Sequence, residues 1–125
     1  MLMTVLLIAL LGAVGTVARY GMQELVYRFT GAGFPWGTAA VNLLGTFLIG
    51  VLWTLAEERG LVGSQTRSII AIGFLGGFTT FSSYMYETGS LIRDSQWVLA
   101  IANVVGQNVL GIAGLFLGFA VGRIF

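Results

Sequence analysis

Charged residues are scarce in this sequence. They make up 9% of its 125 residues, whereas hydrophobic residues make up 57%. Soluble domains carry about 25% charged residues, so this composition is typical of a membrane protein. Cysteine and histidine are absent, which excludes disulfides, thiolate or imidazole metal sites, and the Ser/His and Cys/His pairs of common hydrolases. We therefore expect a protein that is not an enzyme.

Lysine is absent as well. The six basic residues are all arginines, and five acidic residues bring the net charge to +1. The arginines are scattered and form no basic cluster, which argues against nucleic acid as a partner. We therefore expect membrane lipid, and not nucleic acid, to be in contact with the chain.

Four uncharged runs are long enough to cross a bilayer, which takes about 17–25 residues per helix. They cover residues 1–18, 29–56, 68–86 and 95–122. The first run has no basic segment before it, so we expect a membrane span there and not a signal peptide. The sequence predicts one all-α transmembrane domain over 1–125, a multi-pass protein of a prokaryotic cell membrane. Its helices are predicted at about 2–26, 36–56, 67–89 and 96–123.

The arginines divide evenly between the two sides of such a four-span protein. One side carries Arg59, Arg67 and Arg123, and the other carries Arg19, Arg28 and Arg93. Because basic residues normally fix orientation, a tie predicts insertion in both directions. Oppositely inserted copies can pair about a two-fold axis in the membrane plane, so we expect an antiparallel homodimer.

The second span carries a polar stripe. Thr38, Asn42 and Thr46 are four residues apart and share one helix face. A buried asparagine must satisfy its amide, either by bonding another helix or by lining a hydrated path. The two threonines favour the hydrated, ion-lining interpretation.

The fourth span combines small and polar residues. Its glycines recur at three- or four-residue steps, a pattern typical of close helix packing: Gly111, Gly114, Gly118 and Gly122. Asn103 and Gln107 share one face, and Asn108 lies about 100° away. We expect at least one of these three side chains to serve a helix interface instead of a pathway.

The third span contains the segment "GFLGGFTTFSSY", residues 73–84. Gly73, Gly76 and Gly77 each weaken a helix by about 1 kcal/mol, which predicts a break in it. Freed carbonyls at membrane depth must be buried in protein or face water, and they are suitable ligands for a small cation. The alternative is that these glycines only pack. We favour a break because hydroxyl residues follow directly: Thr79, Thr80, Ser82 and Ser83.

Aromatic residues follow the same glycines. Phe81 and Tyr84 lie three residues apart on one helix face. Aromatic ring edges carry partial positive charge, so rings presented edge-on can stabilise an anion without a fixed cation.

The segments "GFPWGTAAVNLLGTFLIG" and "GFLGGFTTFSSYMYE", in this order and spacing, closely resemble the Fluc family of bacterial and archaeal fluoride channels, also called CrcB. "GTVARY" in the first span fits too, and we assign its Arg19 a structural role. The resemblance implies passive export of fluoride from the cytoplasm by an antiparallel dual-topology homodimer with two pores.

The resemblance also implies roles for individual residues. Asn42 and Phe81 would line each pore, and Tyr84 occupies the position of the family's second phenylalanine. Further pore or anion-binding positions are Thr38, Ser83 and Asn108. The family's usual serine one turn after Asn108 is Ile112 here. An alignment of the fourth span through Asn103 and Gln107 is the alternative, which the spacing between the third and fourth spans makes less attractive. A structural sodium ion at the dimer centre would be held by the backbone carbonyls of Gly76 and Thr79.

Two other functions remain open. A small proton-coupled multidrug exporter is also a four-helix dual-topology dimer, but it needs a carboxylate within its first span, and residues 1–18 contain none. Glu87, at the end of the third span, is interpreted as an interfacial carboxylate. A non-transporting assembly protein would use the polar stripe only to bind partner helices.

Overall fold

The computed structural model describes all 125 residues, which form helices and no strands. α1 covers Leu2–Thr30, and α2 covers Trp36–Glu58, ending in one π-helical turn. α3 covers 64–78, α4 covers Phe81–Arg93, and α5 covers Trp97–Ile124. α3 and α4 are the two halves of one span, so four spans are long and apolar enough to cross a membrane.

α1 is longer than its sequence predicts. The sequence predicts an end near residue 26, but the helix continues to Thr30 and stops at Gly31, which has a φ of 72° and donates its N–H to the Tyr27 carbonyl. Arg19 and Glu24 lie within α1, as they do in the predicted range. Glu24 is exposed, so α1 does contain one acid, six residues before its end.

The position of Arg19 changes the arginine count. Its Nε donates to the Gly77 carbonyl over 3.0 Å, inside the helix assembly. If Arg19 is not counted on the second side, the first side has three arginines and the second side has two, Arg28 and Arg93. The bias that fixes orientation is thus still small, but it is no longer a tie.

Glycines bring α2 and α5 into backbone contact. A Cβ on Gly50 would lie 2.4 Å from the Leu115 carbonyl oxygen, and one on Gly118 would lie 2.2 Å from that of Phe47. A Cβ on Gly122 would lie 2.8 Å from the Thr54 Cβ. The packing role predicted for the glycines of the fourth span is confirmed at these positions, whereas a Cβ on Gly111 would meet nothing within 4 Å.

α1 and α3 form a second close pair. A Cβ on Gly15 would lie 2.2 Å from the Phe74 carbonyl oxygen, and one on Gly77 would lie 2.6 Å from the Gly12 carbonyl oxygen. Gly73 packs against Ile8. Gly73 and Gly77 therefore remain helical and allow the two helices to touch, as the packing alternative predicts, whereas Gly76 is exposed and has no such contact with α1.

The outer surface of this helix assembly is apolar. Only 21 of the 125 residues are buried within the chain, and large hydrophobic side chains are exposed along α1 and α5. A surface of this kind suits lipid or other transmembrane helices and not water. The polar residues are instead concentrated where α2, α4 and α5 meet.

Candidate functional site

The third span breaks at two residues near its middle. Thr79 and Thr80 adopt extended backbone angles, with φ/ψ of −89°/159° and −149°/114°, between the end of α3 and the start of α4. The predicted break is therefore present, but it falls on the threonines and not on the preceding glycines. The Thr80 hydroxyl starts α4 as its N-cap by accepting the Ser83 N–H over 3.1 Å.

The side chain of Asn42 bridges this break. Its Oδ1 accepts the Thr80 N–H over 2.8 Å, and its Nδ2 donates to the Thr80 carbonyl over 3.1 Å. One amide thus satisfies both backbone groups of a buried residue that has left the helix. The bridge holds α2 against the junction of α3 and α4.

Carbonyls at the break lose their helical donors, those of Gly76 and Thr79 among them. In a continuous α-helix the Gly76 carbonyl would accept from the Thr80 N–H, and the Thr79 carbonyl would accept from the Ser83 N–H. Both N–H groups bond elsewhere, to Asn42 and to the Thr80 hydroxyl. The Gly77 carbonyl is satisfied by Arg19. Arg19 therefore has the structural contact that its assignment requires, although its role in the protein stays a prediction.

A concavity of about 350 Å³ opens beside the break. Gly76 and Thr79 line it together with Asn42, Thr46 and Phe81. Gly76 is exposed, and the Phe81 side chain is 73% exposed. Within a single chain, this polar backbone and this aromatic ring face outward at membrane depth.

A chain of side-chain hydrogen bonds runs from Asn42 into α5 and back to α4. Asn42 Nδ2 donates to Gln107 Oε1 (2.9 Å), and Gln107 Nε2 donates to Asn103 Oδ1 (2.9 Å). Asn103 Nδ2 donates to the Thr88 hydroxyl (2.9 Å), which donates to the Tyr84 carbonyl (2.7 Å). Asn103 is 1% exposed, so this chain reaches the interior of the helix assembly.

Gln107 and Asn103 are the α5 residues that the structure links to Asn42. Their four-residue spacing is the signal for this link in the sequence, whereas the family resemblance favours Asn108 as the pore-side residue of α5. In the structure Asn108 is exposed, and its Nδ2 donates to the Tyr84 hydroxyl (3.1 Å) and the Val104 carbonyl (2.8 Å). Asn108 does not contact Asn42, whereas Gln107 does.

Phe81 and Tyr84 form an edge-to-face pair. Their ring centroids are 5.8 Å apart and the rings are inclined by 78°. Tyr84 is buried, with a hydroxyl that donates to the Val104 carbonyl over 3.3 Å. Ser83 lies half-buried beside them in the first turn of α4. The two aromatic residues thus differ: one ring faces outward and the other is fixed against α5.

Thr38 belongs to a separate polar group, one turn from Asn42 along α2. Its hydroxyl donates to Glu87 Oε1 over 2.5 Å and accepts from Gln23 Nε2 over 3.0 Å. These residues line a polar cavity of about 420 Å³ near the ends of α1 and α4. Glu87 therefore accepts a hydrogen bond from α2 and also lines a cavity. No sequence pattern indicates the hydrogen bond that Gln23 donates to Thr38.

The remaining member of the stripe bonds to its own helix. The Thr46 hydroxyl donates to the Asn42 carbonyl over 2.6 Å. In this single chain the stripe therefore bonds to other protein groups, which is the interpretation that the sequence disfavoured. Asn42 and Thr46 also border the concavity at the break, so both interpretations apply to that part of the stripe.

Comparison with known proteins gives one consistent family. A family model described as "CrcB-like protein, Camphor Resistance (CrcB)" matches residues 6–119. Proteins named "Fluoride-specific ion channel FluC" are similar along nearly their whole length. The protein of Nitrosococcus oceani is 50% identical over 117 residues, 94% of each chain. That of Solidesulfovibrio magneticus is 48% identical, also over 94% of each chain. That of Geobacter sulfurreducens is 45% identical over 96% of this chain and 97% of its own.

Proposed function

The chain belongs to the CrcB family, and we propose that it is a fluoride channel through which fluoride leaves the cytoplasm passively across the cell membrane of a prokaryote. It is not an enzyme. Among the structural observations, the one that carries the proposal is the break in the third span, bridged by the uncharged amide of Asn42. Irregular backbone of this kind at membrane depth is typical of ion pathways.

The working unit is an antiparallel homodimer with two pores. The freed carbonyl of Gly76 and the exposed ring of Phe81 lie on one face of the chain. Lipid cannot satisfy a carbonyl, so protein or water must cover this face. A second, oppositely inserted copy provides such a cover, and the nearly balanced arginines allow both orientations.

Uncharged groups line each pore. Fluoride is small and strongly hydrated, so a pathway must replace its water with donors that do not trap it. The Asn42 amide and the Ser83 hydroxyl supply such donors, and the ring edges of Phe81 and Tyr84 supply partial positive charge. Thr38 lines the pore as well, with its hydroxyl proton donated to Glu87. Asn108 borders the same path, next to Tyr84.

A structural sodium ion lies at the dimer centre in this proposal. The Gly76 and Thr79 carbonyls have lost their helical donors and border one concavity, and such hard, uncharged oxygens fit an alkali cation. These two residues of each subunit would hold the ion. When bound, it supplies positive charge between the two anion pathways.

Fluoride efflux from liposomes tests the proposal. A passive anion pathway carries net charge, so efflux from potassium fluoride-loaded liposomes should require the potassium ionophore valinomycin. A fluoride electrode should detect rapid release on its addition, and liposomes without protein should show none. Efflux that requires an imposed proton gradient would instead indicate a coupled exporter. Absence of efflux under either condition would favour an assembly role.

A further inference from the structure

We propose that Gln107 is a second hydrogen-bond donor to the anion. When the side-chain amide of Gln107 rotates so that its N–H group takes the place of its oxygen, Gln107 and Asn42 form a two-amide fluoride site. The inference rests on the proposed function and extends it to a residue of α5. In the structure Gln107 Oε1 accepts the Asn42 N–H over 2.9 Å. A neutral carbonyl oxygen thus occupies the donor that an arriving anion requires.

The other donor of Asn42 is not available. It bonds to the Thr80 carbonyl, while Asn42 Oδ1 accepts from the Thr80 N–H. This paired bridge closes the break in the third span, and its loss would leave two backbone groups of a buried residue unsatisfied. Gln107 is therefore the partner of Asn42 that an anion can displace.

Reversal of Gln107 alone would be unfavourable. Its oxygen would then face Asn103 Oδ1, which now accepts the Gln107 N–H over 2.9 Å. Asn103 can reverse in the same step, because terminal amide rotations have two roughly equivalent orientations. Its N–H would then donate to Gln107, and its oxygen would face the Thr88 hydroxyl.

The Thr88 hydroxyl makes the reversed arrangement complete. It now accepts from Asn103 over 2.9 Å and donates to the Tyr84 carbonyl over 2.7 Å. A hydroxyl both donates and accepts, so it can donate to the reversed Asn103 oxygen instead. The Tyr84 carbonyl keeps the backbone donor of its helix. Every amide of the chain therefore has partners in both arrangements.

The two arrangements differ in what they present to an ion. In the first, the Asn42 and Gln107 amides bond to each other. In the second, an N–H of each points toward their common space, and an anion between them accepts both hydrogen bonds. This provides two uncharged donors without a buried cation, and the site returns to internal bonding when the ion leaves.

Substitution of Gln107 tests this site by fluoride efflux. Gln107→Leu removes the second donor and should slow efflux by at least about tenfold, because a hydrogen bond to a charged group contributes more than one to a neutral group. Gln107→Glu keeps the shape and, when ionised, lacks the donor, so efflux should fall further. Gln65→Leu, at an exposed glutamine bonded to Thr4, is the matched control and should conduct normally.

Each result has one interpretation. If Gln107→Leu conducts at the unsubstituted rate or faster, Gln107 is dispensable or only a competitor for Asn42, and the two-amide site is refuted. If the unsubstituted protein shows no efflux, the proposed function fails first.

A spectroscopic measurement on the unsubstituted protein tests the site even if the variants fail to fold. With 15N-labelled glutamine in the unsubstituted protein in lipid, the side-chain amide signal missing from Gln107→Leu should shift on addition of sodium fluoride but not of sodium chloride. A signal unchanged by fluoride would overturn the inference even if the variants fail to conduct.

Discussion

Replacement of Asn42 should damage both the fold and the ion pathway. Asn42→Ala removes the partner of both backbone groups of Thr80, which is 9% exposed. A buried polar group without a partner costs about 1–3 kcal/mol, so the two groups together cost about 2–6 kcal/mol. That loss is a large fraction of the stability of a small domain. We therefore expect Asn42→Ala to unfold at a clearly lower temperature in detergent.

Asn42→Asp keeps the acceptor of the Asn42 side chain and removes its two donors. Its oxygen still accepts the Thr80 N–H, which now bonds to Asn42 over 2.8 Å, but neither donor remains. Fluoride efflux should be abolished, since a carboxylate offers no N–H to an anion and repels it when ionised. Stability should fall as well, because the second carboxylate oxygen faces the Thr80 carbonyl and Gln107 Oε1, which now accept the Asn42 N–H groups.

Thr46→Val is the matched control for both variants. Thr46 lies one turn along α2, and its hydroxyl bonds only to the Asn42 carbonyl of the same helix. Its removal should change stability by about 1 kcal/mol or less. The reasoning is refuted if Asn42→Ala is as stable as Thr46→Val, or if Asn42→Asp conducts fluoride normally.

Three further predictions concern helix packing, the aromatic pair and orientation. Gly15→Ala should separate α1 from α3 and lower the thermal midpoint of unfolding strongly, since its Cβ would lie 2.2 Å from the Phe74 carbonyl oxygen. Gly21→Ala is the control and should leave the midpoint unchanged, because a Cβ there meets nothing within 4 Å. Equal midpoints for the two variants would contradict this packing. Tyr84→Phe should cost about 1 kcal/mol and keep efflux within a few-fold, because the hydroxyl is directed to α5; a loss beyond tenfold would place it in the path. A protease-cleavable C-terminal tag should be accessible from both membrane faces, and cleavage from one face only would exclude the antiparallel dimer.

The sequence predicted the membrane class and the four spans because both depend on composition and length. Uncharged runs long enough to cross a bilayer leave little choice of fold. The end of α1 falls at Thr30 and not near residue 26, because it depends on the positive φ of Gly31. The exact residues of the break depended on a tertiary contact: Asn42 stabilises Thr80 in the extended conformation, while Gly73 and Gly77 pack against α1.

The candidate site was harder to predict than the fold. Asn42 could be chosen from the sequence because its stripe and the family resemblance agree. The link from Asn42 to Gln107 and Asn103 required the register between α2 and α5, which is set by close contacts at Gly50 and Gly118 and cannot be read from either helix alone. The bond between Thr38 and Glu87 likewise joins residues far apart in sequence.

The central claim is that uncharged donors beside the broken third span conduct fluoride. The most direct measurement compares fluoride and chloride efflux from liposomes that contain the purified protein, with valinomycin added to both. We predict rapid fluoride release and chloride release no faster than from liposomes without protein. Equal release of the two anions, or no release of fluoride, would contradict the claim.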